Sequence, residues 1–408
     1  VRVVIVGGGH AGIELSEALR RAHHVGPITI IDAQASYPYQ RPPLSKEGLK
    51  MPGIEALPLR HSTFFDENRI DLIRGIAVEA VDRARRRVTL AGGTEVPYDA
   101  LVLAVGAQNR RPPIESIGIA GVFELRTDAD AVAISAGLSR AQRVVVIGSG
   151  FIGLEVAASA RAAGKQVTVI SVGDRVMSRA VSPAVSEHVA RVHRDSGVDI
   201  RLRSGVDRLE VSPDGHVQGV VTSDGESIGA DAVVIGVGVV SRTELASGAG
   251  LAVDNGILVS ASLRTDDAHI WAIGDCARFY SRGALNRFES VQNATDQART
   301  LAYTLTGEER EYTAVPWFYS VQGDLRIQIA GTSPNTDGCR VSGDPLTGKF
   351  SVLRFESGVL RCVESINDAG AHLAARKVLS GNESLSISEV PIEGFNLKLH
   401  LAAALTSQ

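Results

Sequence analysis

Along the first half of the chain, apolar positions fall into short unbroken runs separated by helical patterns. Val3 to Val6 is entirely apolar, as expected of a strand buried on both faces. Glycines follow. Ile13 to Ala22 then carries a helical pattern, and Ile28 to Ile31 returns to β-branched residues. Strand, helix, strand at this spacing predicts a βαβ unit with parallel strands. The pattern recurs at Val144 to Ile147, with glycines, a helix over Gly153 to Ala163 and a strand over Val167 to Ile170. The two copies align as VVIVGGGHAGIELSEALR and VVVIGSGFIGLEVAASAR. One such unit arises by chance more readily than two with the same flanks, so the chain is expected to hold two nucleotide sites.

Three further apolar runs carry glycine at or near their ends: Tyr98 to Gly106, Ala232 to Val239 and Ile270 to Asp275. They read as strands that complete the two sheets. From about Tyr312 the character changes. Trp317-Phe318-Tyr319 opens an α+β segment with short strands at Leu325 to Ala330, Phe350 to Phe355 and Leu360 to Ile366, and a final helix over Leu397 to Leu405.

Composition narrows the class. A chain of 408 residues is expected to divide into two or three domains. With 44% hydrophobic residues it has enough apolar surface to bury. A net charge of −4 gives no electrostatic footprint for nucleic acid. Cys276, Cys339 and Cys362 are odd in number and form no C-x-x-C pair, which argues against a disulfide framework and a zinc site; no metal is expected. No apolar run approaches a membrane span, and the opening run lacks signal-peptide organisation, so the expectation is a cytoplasmic protein with no membrane partner.

The chemistry lies in the glycine turns. Gly7-x-Gly9-x-x-Gly12 follows a strand and opens a helix. The first glycine allows the tight turn, the second admits a pyrophosphate, and the third lets helix and strand approach. Free N–H groups at the helix start favour the anion. Asp32 ends the next strand, placed to accept ribose hydroxyls. Gly148-x-Gly150-x-x-Gly153 repeats the arrangement, but the acidic position is Ser171, with Arg175 and Arg179 shortly after. A missing acid removes repulsion of a 2′-phosphate and the arginines could attract one. Equally, Ser171 is a neutral substitute and the arginines lie on a solvated face; the residues leave both open. Gly274-Asp275 gains meaning only from the two fingerprints upstream. Arg41-Pro42-Pro43-Leu44-Ser45-Lys46 is a rigid turn with two cations; Glu155 could pair with Lys46, but by the residues alone two unrelated surface charges are the default reading.

These residues resemble the FAD-dependent ferredoxin reductases of bacterial oxygenase and cytochrome P450 systems. The stretches that carry the resemblance are PYQRPPLSK (Pro38 to Lys46), VVVIGSGFIGLEVAA (Val144 to Ala158), VDNGI (Val253 to Ile257), AIGDCARF (Ala272 to Phe279), ESVQNATDQA (Glu289 to Ala298) and VPWFYSVQGDLRIQIAG (Val315 to Gly331). The resemblance implies an α/β fold with two Rossmann-like domains of the glutathione-reductase type plus an α+β C-terminal domain. The implied boundaries are 1–107 with 243–312 for FAD, 108–242 for NAD(P)H, and 313–408. It implies FAD bound through Gly7, Gly9, His10, Ala11, Gly12, Asp32, Arg41, Lys46, Val78, Ala104, Gly106, Arg126, Gly274, Asp275, Val291 and Trp317. It implies NADH or NADPH bound through Gly148, Gly150, Phe151, Ile152, Gly153, Glu155, Ser171, Arg175, Arg179 and Gly238. Lys46 and Glu155 are the implied catalytic pair beside the flavin. The implied partner is a [2Fe–2S] ferredoxin, which Arg299 would face unless it is an ordinary solvated helix charge, and the implied state is a monomer or weak homodimer. Departures are Ser171 for the usual glutamate, Val105 in the usual Ala-Thr-Gly, and an acid at Asp32 one residue early. Other acceptors (rubredoxin, a quinone, oxygen) and a redox-signalling role like that of apoptosis-inducing-factor relatives remain alternatives.

Overall fold

The structure is a computed structural model that describes residues 1–49, 56–281, 283–381, 384–391 and 394–406. The chain separates into two compact units, each discontinuous in sequence.

The first unit comprises Val1–Gln40, Ala56–Gln108 and Val239–Ala314. Its centre is a five-stranded sheet in the order Ile270–Ala272, Ala100–Leu103, Val3–Val6, Ile28–Asp32, Ile70–Arg74. Every pairing is parallel. Val3, Val4 and Ile5 are fully buried, which explains the unbroken apolar run: both faces of a parallel sheet are covered. The helices His10–Arg21 and Val291–Leu305 pack on one another. A three-stranded antiparallel sheet, Val78–Asp82, Arg87–Leu90 and Glu95–Pro97, is attached. The chain runs outward from Val3–Val6 in one direction and then resumes on its other side. This strand is therefore the topological switch point, where doubly wound sheets bind ligands at the carboxyl edge.

The second unit comprises Arg41–Glu55, Asn109–Gly238 and Val315–Gln408. Its parallel sheet runs Val198–Leu202, Gln166–Ser171, Arg143–Ile147, Ala232–Ile235, Val122–Glu124. Its second sheet is antiparallel, in the order Trp317–Gln322, Leu325–Gly331, Val359–Ile366, Lys349–Glu356, Gly338–Asp344. The helix Ala369–Ser380 covers it. The α/β class with parallel sheets and an α+β C-terminal part is what the pattern predicted.

Boundaries differ where a turn takes over. The helix expected from Ile13 starts at His10, because Gly9 already has extended N-cap geometry. The run Tyr98 to Gly106 is a strand only over Ala100–Leu103. Gly106 has a φ of +68°, a left-handed conformation that ends the ladder. Ile270 to Asp275 is a strand only to Ala272, after which Gly274–Cys276 forms a 3₁₀ turn.

Candidate functional site

The first glycine turn is tightly determined. Gly7 has a φ of +116°, and a Cβ there would stand under 3.0 Å from the Ala104 carbonyl. A Cβ on Gly12 would meet the Gly7 carbonyl at under 3.0 Å, so helix and strand touch through bare backbone. Gly9 is different: a Cβ there would meet nothing within 4 Å. Packing does not require glycine at this position; an anion brought close to the backbone would. The Asp32 carboxylate lies over Gly8, where a Cβ would strike Oδ2, and it is steadied by the Gln34 N–H at 3.1 Å. Gly274 packs against Ala11, where a Cβ would come within 3.2 Å of the alanine methyl, and its N–H donates to Gln297 Oε1 at 2.7 Å. Gln297 is fully buried and its Nε2 has no partner among the described residues. An open glycine cradle at a helix start, an aligned carboxylate and an unmatched buried amide are what a dinucleotide's pyrophosphate and ribose would require. The residues fit FAD. Val291 opens the helix capped by Ser290, while Val78 begins the attached antiparallel sheet and packs on the unit's core. Cys276 is fully buried, its thiol pushed up to about 11 chiefly by burial, and it donates to Leu103 O and Ile273 O. That is a structural thiol, not a nucleophile.

The second turn repeats this geometry in the other unit. Gly148 has a φ of +111° and abuts the Gly236 carbonyl, Gly153 abuts the Gly148 carbonyl, and Gly150 again faces open space. Ile152 is exposed in the first turn of the helix Phe151–Ala162. The Ser171 hydroxyl accepts from Ser149 Oγ at 2.8 Å. The structure separates the two arginines. Arg175 donates to Val181 O at 2.8 Å and Ser178 O at 2.6 Å, bracing its own loop. Arg179 is exposed, and its Nη2 would lie 3.6 Å from a Cβ on Gly238, which has a φ of +98°. Sequence spacing treated the two as equivalent; the loop's need to satisfy its carbonyls distinguishes them.

Arg41, Lys46, Arg126 and Trp317 fall in this second unit. Arg41 Nη1 donates to the Arg126 carbonyl at 2.8 Å. Lys46 Nζ lies 2.7 Å from Glu155 Oε2 and donates to Pro42 O at 2.9 Å. Glu155 is only 3% exposed and Lys46 16%. A pair this dry survives only if its remaining hydrogen-bonding capacity is met. Ser45 Oγ donates to Glu155 Oε2, and Ser320 Oγ donates to Oε1 at 2.6 Å. Ser45 and Ser320 were missed in the sequence. Ser320 lies three residues past Trp317 on a strand whose alternate side chains Phe318, Ser320 and Gln322 share one face. Phe318 packs 4.5 Å from Phe151 at the start of the glycine-turn helix. On the opposite face Trp317 meets His372 edge-on at 5.6 Å and carries the Arg376 guanidinium 4.5 Å from its ring centre. In the first unit, Arg299 Nε pairs with Glu14 at 2.7 Å while remaining 56% exposed.

Known proteins bear on this geometry. The pyridine nucleotide-disulphide oxidoreductase family matches residues 1–298, and a reductase C-terminal family matches residues 317–401. Rhodocoxin reductase of Rhodococcus erythropolis is 44% identical, the match covering 98% of this chain and 94% of that protein. The ferredoxin reductase for the CYP199A2 system of Rhodopseudomonas palustris superposes with a TM-score of 0.94 at 40% identity, covering 98% of this chain and 99% of that one. The reductase in the covalent putidaredoxin reductase–putidaredoxin complex superposes with a TM-score of 0.95 at 36% identity, covering 100% and 99%.

Proposed function

Because the chain belongs to the pyridine nucleotide-disulphide oxidoreductase family, with a reductase C-terminal domain, we propose that it is a ferredoxin reductase using FAD and NAD(P)H. The observation that carries this is the pair of glycine turns, each with one glycine left open for a pyrophosphate. FAD, when bound, accepts a hydride from a nicotinamide and passes the two electrons on singly.

The chain's residues bind, orient and set charge. We assign Gly7, Gly9, His10, Ala11 and Gly12 to the FAD pyrophosphate, Asp32 to its ribose, and Val78, Ala104, Gly106, Gly274, Asp275 and Val291 to the same cofactor. Arg41, Arg126 and Trp317 are assigned to it as well. Gly148, Gly150, Phe151, Ile152 and Gly153 are assigned to the nicotinamide coenzyme, with Ser171, Arg179 and Gly238 at its ribose end; Arg175 holds the loop that carries Arg179. Lys46 favours negative charge on the flavin, and Glu155 keeps the ammonium in place. The proposed acceptor is a [2Fe–2S] ferredoxin, met by Arg299. The relatives support a ferredoxin as acceptor, since one is named a ferredoxin reductase and another is joined to putidaredoxin. The domain division proposed is 1–107 with 243–312, 108–242, and 313–408. Among the described residues no helix is long and apolar enough to cross a membrane, and the proposed setting is the cytoplasm, as a monomer or weak homodimer.

An anaerobic titration with NADH and separately NADPH, following the visible flavin band, tests the first half. Either coenzyme should bleach it. Addition of an oxidised [2Fe–2S] ferredoxin should then restore the band. A protein that stays colourless with added FAD, or a flavin that neither coenzyme bleaches, overturns the reading.

A further inference from the structure

Gln322 lies on the same strand face as Ser320, and its hydrogen bonds have a determinable direction. Its Nε2 lies 3.2 Å from Ser320 Oγ and 3.8 Å from Met177 Sδ, and its Oε1 lies 2.8 Å from His193 Nε2. A thioether accepts but cannot donate, so the amide NH₂ is the end that faces Met177. That leaves Oε1 toward His193, which must then donate from Nε2. Ser320, accepting from Gln322, turns its one proton to Glu155, since an ionised carboxylate only accepts. Each donor thus points toward the next group: His193 to Gln322, Gln322 to Ser320, Ser320 to Glu155. All four side chains are buried.

The donor end of the array and its central amide are both fixed. His193 sits in the last turn of the helix Pro183–Asp195, whose N-cap Ser182 donates its N–H to Glu364 at 2.9 Å. Glu364 is fully buried and also receives Arg354 Nη1 at 2.8 Å. Burial holds the His193 imidazole below its ordinary titration range, so it stays the neutral single donor the array needs. Met177 donates its backbone N–H to Ser149 O at 2.9 Å, inside the second glycine turn. One amide therefore braces both the Glu155 carboxylate and the coenzyme loop.

We propose that Ser320 and Gln322, with His193 as terminal donor, are positioning residues that hold the Glu155 carboxylate in place and aimed at Lys46. The C-terminal domain thereby sets the geometry of the pair. This rests on the reading in which that pair acts beside the flavin.

The test uses the holoenzyme. Ser320→Ala should slow flavin bleaching by NADH about tenfold, the loss expected for one hydrogen bond to a charged group. The NADH concentration for half-maximal rate and the FAD content should be unchanged, and Ser320→Thr should recover most of the rate. Glu155→Gln, run alongside, should be slower still. A wild-type rate in Ser320→Ala with a slow Glu155→Gln overturns the array and leaves the pair. A wild-type rate in Glu155→Gln overturns the role of the pair itself. Independently of rate, ¹⁵N-histidine NMR, with His193→Asn for assignment, should show His193 as the neutral Nε2–H tautomer, switching or exchanging in Gln322→Leu. An Nδ1–H tautomer or an imidazolium at neutral pH overturns the array whatever the kinetics show.

Discussion

Ser149 donates its hydroxyl hydrogen to Ser171 across 2.8 Å, and the Gly173 N–H reaches the same Ser171 oxygen at 3.3 Å. Both lone pairs of Ser171 are engaged, which leaves its own proton to give. An acid here would accept ribose hydroxyls; this serine instead offers a donor, and a phosphate oxygen is an acceptor. NADPH should therefore bleach the flavin. Ser171→Glu should cut kcat/KM for NADPH at least about tenfold through like-charge repulsion, while sparing NADH.

Arg179 is the exposed cation of this loop, because Arg175 is spent on carbonyls. Arg179→Ala should lower kcat/KM for NADPH about 10- to 100-fold, as loss of a hydrogen bond to a charged group does, with NADH little changed. Equal losses for both coenzymes would show that Arg179 does not meet a 2′-phosphate.

Asp32 lies against Gly8, where a Cβ would strike its carboxylate. Asp32→Ala should weaken FAD about 10- to 100-fold by removing charge-assisted hydrogen bonds. The readout is the flavin-to-protein absorbance ratio after dialysis, which should fall in the variant and recover with excess FAD.

His372 is buried against Trp317, and neither ring nitrogen has a partner among the described residues. Burial first, and the nearby Arg376 second, lower it to about 4. Its pKa in the unfolded chain is ~6.5, so the unfolded state binds more protons between those values. The stability contributed by the neutral ring is complete above ~6.5 and is lost as pH falls toward 4. His372→Phe keeps the ring and forfeits no hydrogen bond. Its melting temperature should match wild type near neutrality and fall less on acidification. Parallel acid limbs in the two proteins would refute this.

Glu364 has no exposure and satisfies Ser182 and Arg354 together. Glu364→Ala leaves the Arg354 guanidinium, only 17% exposed, without its carboxylate and the Ser182 N–H without its acceptor, and should destabilise by ~3–5 kcal/mol. Denaturant unfolding followed by far-UV circular dichroism measures it; an unchanged midpoint would show that Arg354 finds another acceptor.

How much was legible in advance depends on range. The glycine turns, their strands and Asp32 were readable because each is a local device: a bare Cα, a buried β-branched run and a helix start lie within some thirty residues of one another. Lys46 and Glu155 were linked only through resemblance, since nothing in spacing brings residues 109 positions apart to 2.7 Å. Ser45 could have been noticed beside Lys46. Ser320, Gln322 and His193 could not, because serine, glutamine and histidine in a strand or helix are ordinary until burial removes water and forces each to find a partner.

By itself, then, the sequence determined the doubled βαβ architecture and its paired glycine turns, written in hydrophobic periods and in glycine spacing, and the absence of a paired-cysteine motif. Tertiary structure alone decided which arginine of the coenzyme loop is exposed, which hydroxyls complete the Glu155 carboxylate and which way the Gln322 amide faces. Those depend on desolvation, and desolvation is a property of what surrounds a group in space, not of its neighbours along the chain.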